Sequence, residues 1–266
     1  MRYILLRRPM NTWNVNEILA AMRQGGEIAL SYYESPSARL KSDMSLVTEA
    51  DHAIEHAFEE LFDIPEEGSY LIGEETIHKK DNRYVEKALE EVAWIIDPID
   101  GTAPYAHHIP TWGISIARME GGVITDGAIY LPVTGEMYIT SGSEILAGTH
   151  PCDSFEELEL KPIKIVRRKP DVGGMVALTQ TVVKRGTFTL DNPVQALACA
   201  VLPMAYLLTG RFLGYTGTVK LWDIAGALAM LTRAEFTCKL MNGTVVGTAV
   251  SPEVYHLDED SPYRWF

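Results

Sequence analysis

Two carboxylates stand three residues apart in Asp97-Pro98-Ile99-Asp100-Gly101-Thr102, directly after the apolar run Trp94-Ile95-Ile96. That run reads as a buried strand. Pro98 fixes φ and removes a backbone donor, so the strand should break where the first carboxylate appears. Asp97 and Asp100 can then converge at the strand's carboxyl end. Gly101 lets the backbone come close to a ligand. The N–H groups of Gly101 and Thr102 could face an anion if a helix or nest starts there. Paired carboxylates beside an anion cradle are what a metal-assisted phosphoryl site needs. Alone, Asp-Pro-x-Asp-Gly is equally an ordinary turn, since Asp, Pro and Gly are common turn formers.

Other acids stand at the ends of predicted elements. Thr48 is a plausible N-cap with Asp51 three residues on, close to a capping box. Helix-dipole stabilisation of a first-turn acid accounts for Asp51 by itself. Glu74 follows an apolar strand directly, in Gly73-Glu74-Glu75-Thr76. Asp223 opens the apolar stretch Leu221 to Leu228, where N-capping is the simple explanation.

The elements that must hold these residues follow from periodicity. Asn14 to Tyr33 has helical spacing, with Gly25 and Gly26 weakening its middle. Glu34 to Ser45 is polar and should be a loop or hairpin. Ile54, Ala57, Phe58, Leu61 and Phe62 mark one face of a second helix. A short strand at Ser69–Ile72 and a helix at Arg83–Val92 lead into the central strand. Gly113–Met119, Val123–Leu131 and Glu136–Thr140 read as antiparallel strands joined by Gly-rich or Pro-containing turns. A composition break with an acidic run lies near residue 150. Beyond it the pattern predicts strands at Ile163–Val166, Met175–Leu178 and Phe212–Tyr215, and a helix at Val194–Leu208 that Pro203 should kink.

The chain has 266 residues, 47% hydrophobic and 22% charged, as expected of a globular protein with a substantial core. Its formal charge of −13 argues against nucleic-acid binding and against an anionic membrane surface. It leaves a phosphate substrate open, because bound divalent cations reverse the local field. Cys152, Cys199 and Cys238 are scattered without metal-site spacing and read as thiols in a reducing compartment. Met1 to Arg8 has too short an apolar run for a signal peptide, and no stretch approaches a membrane helix in length. A cytoplasmic location is expected.

Four separated pieces occur in order: Val47-Thr48-x-Ala50-Asp51-x-x-x-Glu55, Ile72-Gly73-Glu74-Glu75, Asp97-Pro98-Ile99-Asp100-Gly101-Thr102 and Trp222-Asp223-x-Ala225-Gly226. Together they resemble the inositol monophosphatase family of magnesium-dependent, lithium-sensitive phosphatases. Lys41 and Pro110 also match. The resemblance implies a layered α-β-α-β-α sandwich of the inositol monophosphatase and fructose-1,6-bisphosphatase type. Residues 1–149 would form an N-terminal subdomain carrying most metal ligands, and residues 150–266 a C-terminal one completing the site with Asp223. It further implies that Glu74, Asp97 and the Ile99 carbonyl hold one Mg2+ and that Asp97, Asp100 and Asp223 hold a second. A third, weaker ion leans on Glu74. Thr102, hydrogen-bonded to Asp51, would orient the attacking water with Glu74, and the Gly101 and Thr102 amides would hold phosphate. A homodimer is the common assembly. Physical chemistry supports this set independently, since hard oxygens suit Mg2+ and converging carboxylates without a cation would repel.

This chain departs from the family pattern near the substrate. Pro104 replaces a usual Asn. Gln195-Ala196-Leu197-Ala198-Cys199-Ala200 replaces an Arg-x-x-Gly-Ser/Thr-Ala segment, putting Cys199 and Ala200 where substrate contacts lie. Thr216-Gly217-Thr218 stands where inositol-selective members carry Glu. Lys220 could face an anionic or hydroxylated substrate. The expected activity is hydrolysis of a small phosphorylated metabolite, with inositol phosphate, a sugar phosphate, histidinol phosphate and phosphoadenosine phosphate all open. A non-catalytic binding relative is the alternative.

Overall fold

A computed structural model of the chain describes residues 10–42, 44–151, 154–167, 169, 171–185, 189–239, 245–250 and 263–265. The expectations for Met1 to Arg8, Cys152 and Asp153 fall outside the described residues. The first helix, α1 (Val15–Tyr33), starts where the Asn14 side chain accepts from the amides of Asn16 and Glu17. Its two central glycines mark a close approach. A Cβ on Gly26 would lie 2.3 Å from the Tyr130 ring. Next comes a hairpin of β1 (Ala38–Leu40) and β2 (Leu46–Thr48), leading into α2 (Glu49–Phe62). The Thr48–Asp51 capping box forms as the sequence predicts.

The central sheet has seven strands in the order β3 (Ser69–Gly73), β4 (Val92–Asp100), β5 (Gly113–Glu120), β6 (Val123–Leu131), β7 (Glu136–Ser141), β8 (Glu144–Thr149) and β9 (Lys161–Pro162). Only the β3–β4 pair, joined by helix α3 (Asn82–Glu90), is parallel. Side-chain alternation along β4 explains its unbroken apolar run. Trp94 and Ile96 pack with Ile18, Met22, Ile54 and Phe58 of α1 and α2. Ala93 and Ile95 join the opposite core, built with α6 (Val201–Leu208) and α7 (Leu221–Arg233). Between β4 and β5 the chain makes the short helix α4 (Thr102–Ala106).

A second sheet lies beyond α6 and α7, in the order β11 (Val194–Leu197), β10 (Val176–Thr179), β12 (Gly214–Val219) and β15 (Tyr263–Trp265). Helix α5 (Gln180–Arg185) packs against β10, β11 and β12. A small pair, β13 (Cys238–Lys239) and β14 (Val245–Val246), completes the described elements. The result is a layered α-β-α-β-α sandwich.

Several sequence expectations need correction. Pro98 does not end β4, which runs on to Asp100 with a register shift between Asp97 and Asp100. The predicted helix Val194–Leu208 is strand β11 followed by α6. Pro203 is the third residue of α6, so its missing N–H falls in the first turn and no kink is needed. Ile163–Val166 forms no strand; Ile163 and Val166 instead donate to the carbonyls of Ile145 and Leu208. The strand predicted at Phe212–Tyr215 runs from Gly214 to Val219. Asp223 is not an N-cap but the third residue of α7, its Oδ2 accepting from the Lys220 amide at 2.6 Å.

Candidate metal centre

Asp97 belongs by alternation to the β4 face that meets α7. An unbroken strand would aim Asp100 the other way, because three steps invert the face. The register shift prevents that. Asp97 pairs with Ser115 and Asp100 with Gly113, so β4 carries one residue more than β5 between the two pairs. Both carboxylates therefore turn to the same side and meet Asp223 from the first turn of α7. One carboxylate oxygen from each of Asp97, Asp100 and Asp223 lies within 4.8 Å of the others.

This convergence is electrostatically expensive. Burial pushes Asp97 well above the usual carboxylate range, and Glu74, Asp100 and Asp223 add to the shift. Asp223 is raised likewise, by burial first and then by Asp100 and Glu74. Burial raises Asp100 to about 6, held there against hydrogen bonds from Cys199, Val201 and Ala200. Asp97 Oδ1 is buried with no hydrogen-bond partner among the described residues. An orphaned carboxylate oxygen inside a cluster of hard oxygen donors fits a divalent cation such as Mg2+.

Around this centre each remaining acid has a defined partner. The Asp51 carboxylate is fully buried, and its Oδ2 accepts from the Thr48 amide at 2.8 Å and the Thr48 hydroxyl at 2.5 Å. Thr102 Oγ1 lies 3.5 Å from Asp51 Oδ1 and 3.1 Å from the Ile99 carbonyl, so its proton can go to either acceptor. Burial lifts Asp51 to about 7, with Glu74 contributing through charge. Glu74 stands apart from the three-carboxylate group and accepts from Lys41 Nζ at 3.0 Å; Lys41 also donates to Glu75.

Gly101 adopts φ 93°, the left-handed region, and opens α4. A Cβ there would lie 2.9 Å from the Thr111 carbonyl and 3.1 Å from Cys199 Cβ. Asp100 Oδ2 accepts from the Cys199 thiol at 3.0 Å and from the amides of Ala200 and Val201 at 2.6 and 2.5 Å. Cys199 and Ala200, which the sequence assigns to substrate, thus face Asp100. The Lys220 ammonium stands over the Trp222 ring, 5.3 Å from its centroid.

Glu55 stands in the first motif, yet no spacing rule marks a role for it. It is buried, accepts from the Glu75 amide at 2.9 Å and from the Thr76 hydroxyl, and so shapes the turn that carries Glu74. Tyr215 also went unnoticed. Its hydroxyl is buried without a partner among the described residues, and burial, then the charges of Asp100, Asp223 and Cys199, push it well above its ordinary pKa. No spacing signal marks it, since it reads simply as a strand residue.

The sequence profile of the inositol monophosphatase family matches residues 14–258. The chain belongs to the inositol monophosphatase family. Relatives within and around that family carry more than one name. The inositol-1-monophosphatase of Mesorhizobium japonicum is 28% identical over 238 residues, 85% of this chain and 84% of the relative. The Nus factor SuhB of Pasteurella multocida is 27% identical over 246 residues, 86% of each chain. The crystal structure of inositol monophosphatase II from Staphylococcus aureus superposes with a TM-score of 0.70 at 18% identity, covering 94% of this chain and 86% of the other. That last likeness is one of fold. Among the described residues, no helix of this family member is long and apolar enough to cross a membrane.

Proposed function

We propose that the protein is a Mg2+-dependent phosphomonoesterase, hydrolysing a small phosphorylated metabolite such as an inositol monophosphate or a sugar phosphate, as a homodimer in the cytoplasm. The observation that carries this reading is the meeting of Asp97, Asp100 and Asp223 around a buried, unpartnered Asp97 Oδ1. Glu74, Asp97, the Ile99 carbonyl, Asp100 and Asp223 would supply oxygen donors to two or three ions. Divalent ions held there supply Lewis acidity toward a water nucleophile and a leaving alkoxide.

The chain's own groups do the rest. The Thr102 hydroxyl, turned to Asp51, leaves its oxygen lone pairs to accept a proton-bearing water. Asp51, raised to about 7, is matched to take up a proton near neutral pH. Glu74, at the end of β3, would orient the same water. The amides of Gly101 and Thr102 are the candidate phosphate donors. Cys199 and Ala200 are already engaged by Asp100, which leaves fewer donors for polyol hydroxyls. That supports a broad substrate range over strict inositol selectivity, and histidinol phosphate or phosphoadenosine phosphate remain within the class.

Phosphate release from these compounds and from inositol monophosphate and fructose bisphosphate, with Mg2+ and with chelator, tests the reading. Mg2+-dependent release from at least one is expected; none from any would refute it. The likeness to a Nus factor and the altered Gln195–Ala200 segment favour a second reading, a non-catalytic binding relative. That reading predicts Mg2+ binding without turnover.

A further inference from the structure

Cys199 is buried between β11 and α6, packed against the turn at Gly101. Its thiol and the next two amides all end on one oxygen of Asp100. Three donors on Oδ2 resist rotation of the carboxylate, and so fix how Asp100 meets Asp97 and Asp223, each with one oxygen within 4.8 Å of the others. The amides belong to the backbone and stay whatever the side chains are. The thiol is the one donor that a substitution removes. The thiol lies 3.0 Å from Oδ2, a carboxylate oxygen that can only accept from it.

We propose that Cys199 is a positioning residue that fixes Asp100 for cation binding, by donating its thiol proton to Oδ2. This rests on the reading of Asp100 as a metal donor. Groups that hydrogen-bond to a ligating carboxylate govern its aim, and their loss typically weakens metal affinity 10- to 100-fold. Losing the donor also makes the carboxylate more basic, which by itself would tighten binding. The sign of the change therefore separates positioning from simple charge tuning.

The test is calorimetric titration of the full chain with Mg2+, for wild type, Cys199→Ala, Cys199→Ser and Asp100→Asn, with metal-free melting curves alongside. Cys199→Ala is expected to weaken Mg2+ binding about tenfold. Cys199→Ser, which keeps a donor, should recover most of the loss even if its metal-free melting temperature matches that of the Ala variant. Unchanged or tighter binding by Cys199→Ala, or a Ser variant as weak as the Ala variant, overturns the proposal while Asp100→Asn still loses affinity. If Asp100→Asn itself binds Mg2+ like wild type, the metal-donor reading fails and the proposal fails with it.

Discussion

Asp97 and Asp100 lie an odd number of residues apart on one strand, yet their carboxylates reach the same cluster, because β4 holds an extra residue opposite the Ser115–Gly113 step of β5. The cluster so formed is a source of strain without a cation. Asp97→Asn replaces a carboxyl group that is costly to ionise there with an amide that can donate to a neighbouring carboxylate. The metal-free variant should gain about 1 kcal/mol, or roughly 2–4 °C in melting temperature. The same variant should lose Mg2+-induced stabilisation, and phosphate release should fall at least about a hundredfold. Melting scans with chelator and with Mg2+, beside turnover, read both effects. A metal-free variant that melts lower than wild type would contradict the strain argument.

Asp51 and Glu55 are both buried acids lifted to about 7. In the unfolded chain such groups titrate near pH 4. Between those limits the folded protein binds more protons than the unfolded one, so stability falls as pH rises from about 4 to 7 and levels off above. Shifts of this size correspond to at most about 4 kcal/mol per group. The metal-free melting temperature should therefore drop from pH 5 to pH 7.5, and Mg2+ should flatten the drop by stabilising the ionised cluster. A metal-free protein that grows more stable over that range would show that these acids are ionised throughout.

The placement of Glu74 depends on a residue behind it. Glu55 Oε1 occupies the space that a Cβ on Gly73 would enter, at 2.2 Å, while also receiving the Thr76 hydroxyl. Gly73→Ala must push Glu55 away or shift the Glu74–Glu75 turn. A stability loss of about 1–3 kcal/mol is expected from the overpacking, with a larger relative loss of turnover because Glu74 moves. Comparing melting temperature with kcat at saturating Mg2+ checks this. Normal kcat in a folded Gly73→Ala protein would remove Glu74 from the chemistry.

Lys41 answers two acids at once. Although burial opposes its charge, Glu74 and Glu75 raise the ammonium above its ordinary pKa. Lys41→Met leaves the largely buried Glu75 without that partner and should cost about 2 kcal/mol in the metal-free protein. Glu74 is then free of its ion pair, so Mg2+ should raise the melting temperature by more than it does in wild type. Equal Mg2+ shifts in the two proteins would mean that Glu74 and the cation do not meet.

Much of this arrangement was legible in the sequence because local rules govern it. The Thr48–Asp51 box, the helical spacing from Asn14 to Tyr33 and the apolar run of β4 depend on nearby residues, and the order of the four acidic motifs is itself a sequence fact. Long-range features were hidden. The Val194–Leu208 stretch is apolar enough for a helix, and only its parallel pairing with β10 makes its first residues a strand. The shift at Pro98 is invisible without β5 opposite it. The turn of Cys199 and Ala200 toward Asp100 joins residues about a hundred positions apart, which no spacing rule reports.

Tyr215 shows the same limit and offers a sharp test. Its hydroxyl is buried, feels the charges of Asp100 and Asp223, and has no partner among the described residues. An unsatisfied buried hydroxyl costs about 1–3 kcal/mol, so Tyr215→Phe should stabilise the metal-free protein by that order. A group kept at such a cost needs a partner in the working state, and a substrate hydroxyl that does not react would supply one in the proposed reaction. Tyr215→Phe should then raise KM more than it lowers kcat, because it removes binding that substrate and transition state share. A variant that is more stable and kinetically identical to wild type would show that the hydroxyl makes no contact with substrate. One that is less stable would show that the hydroxyl is already satisfied within the protein.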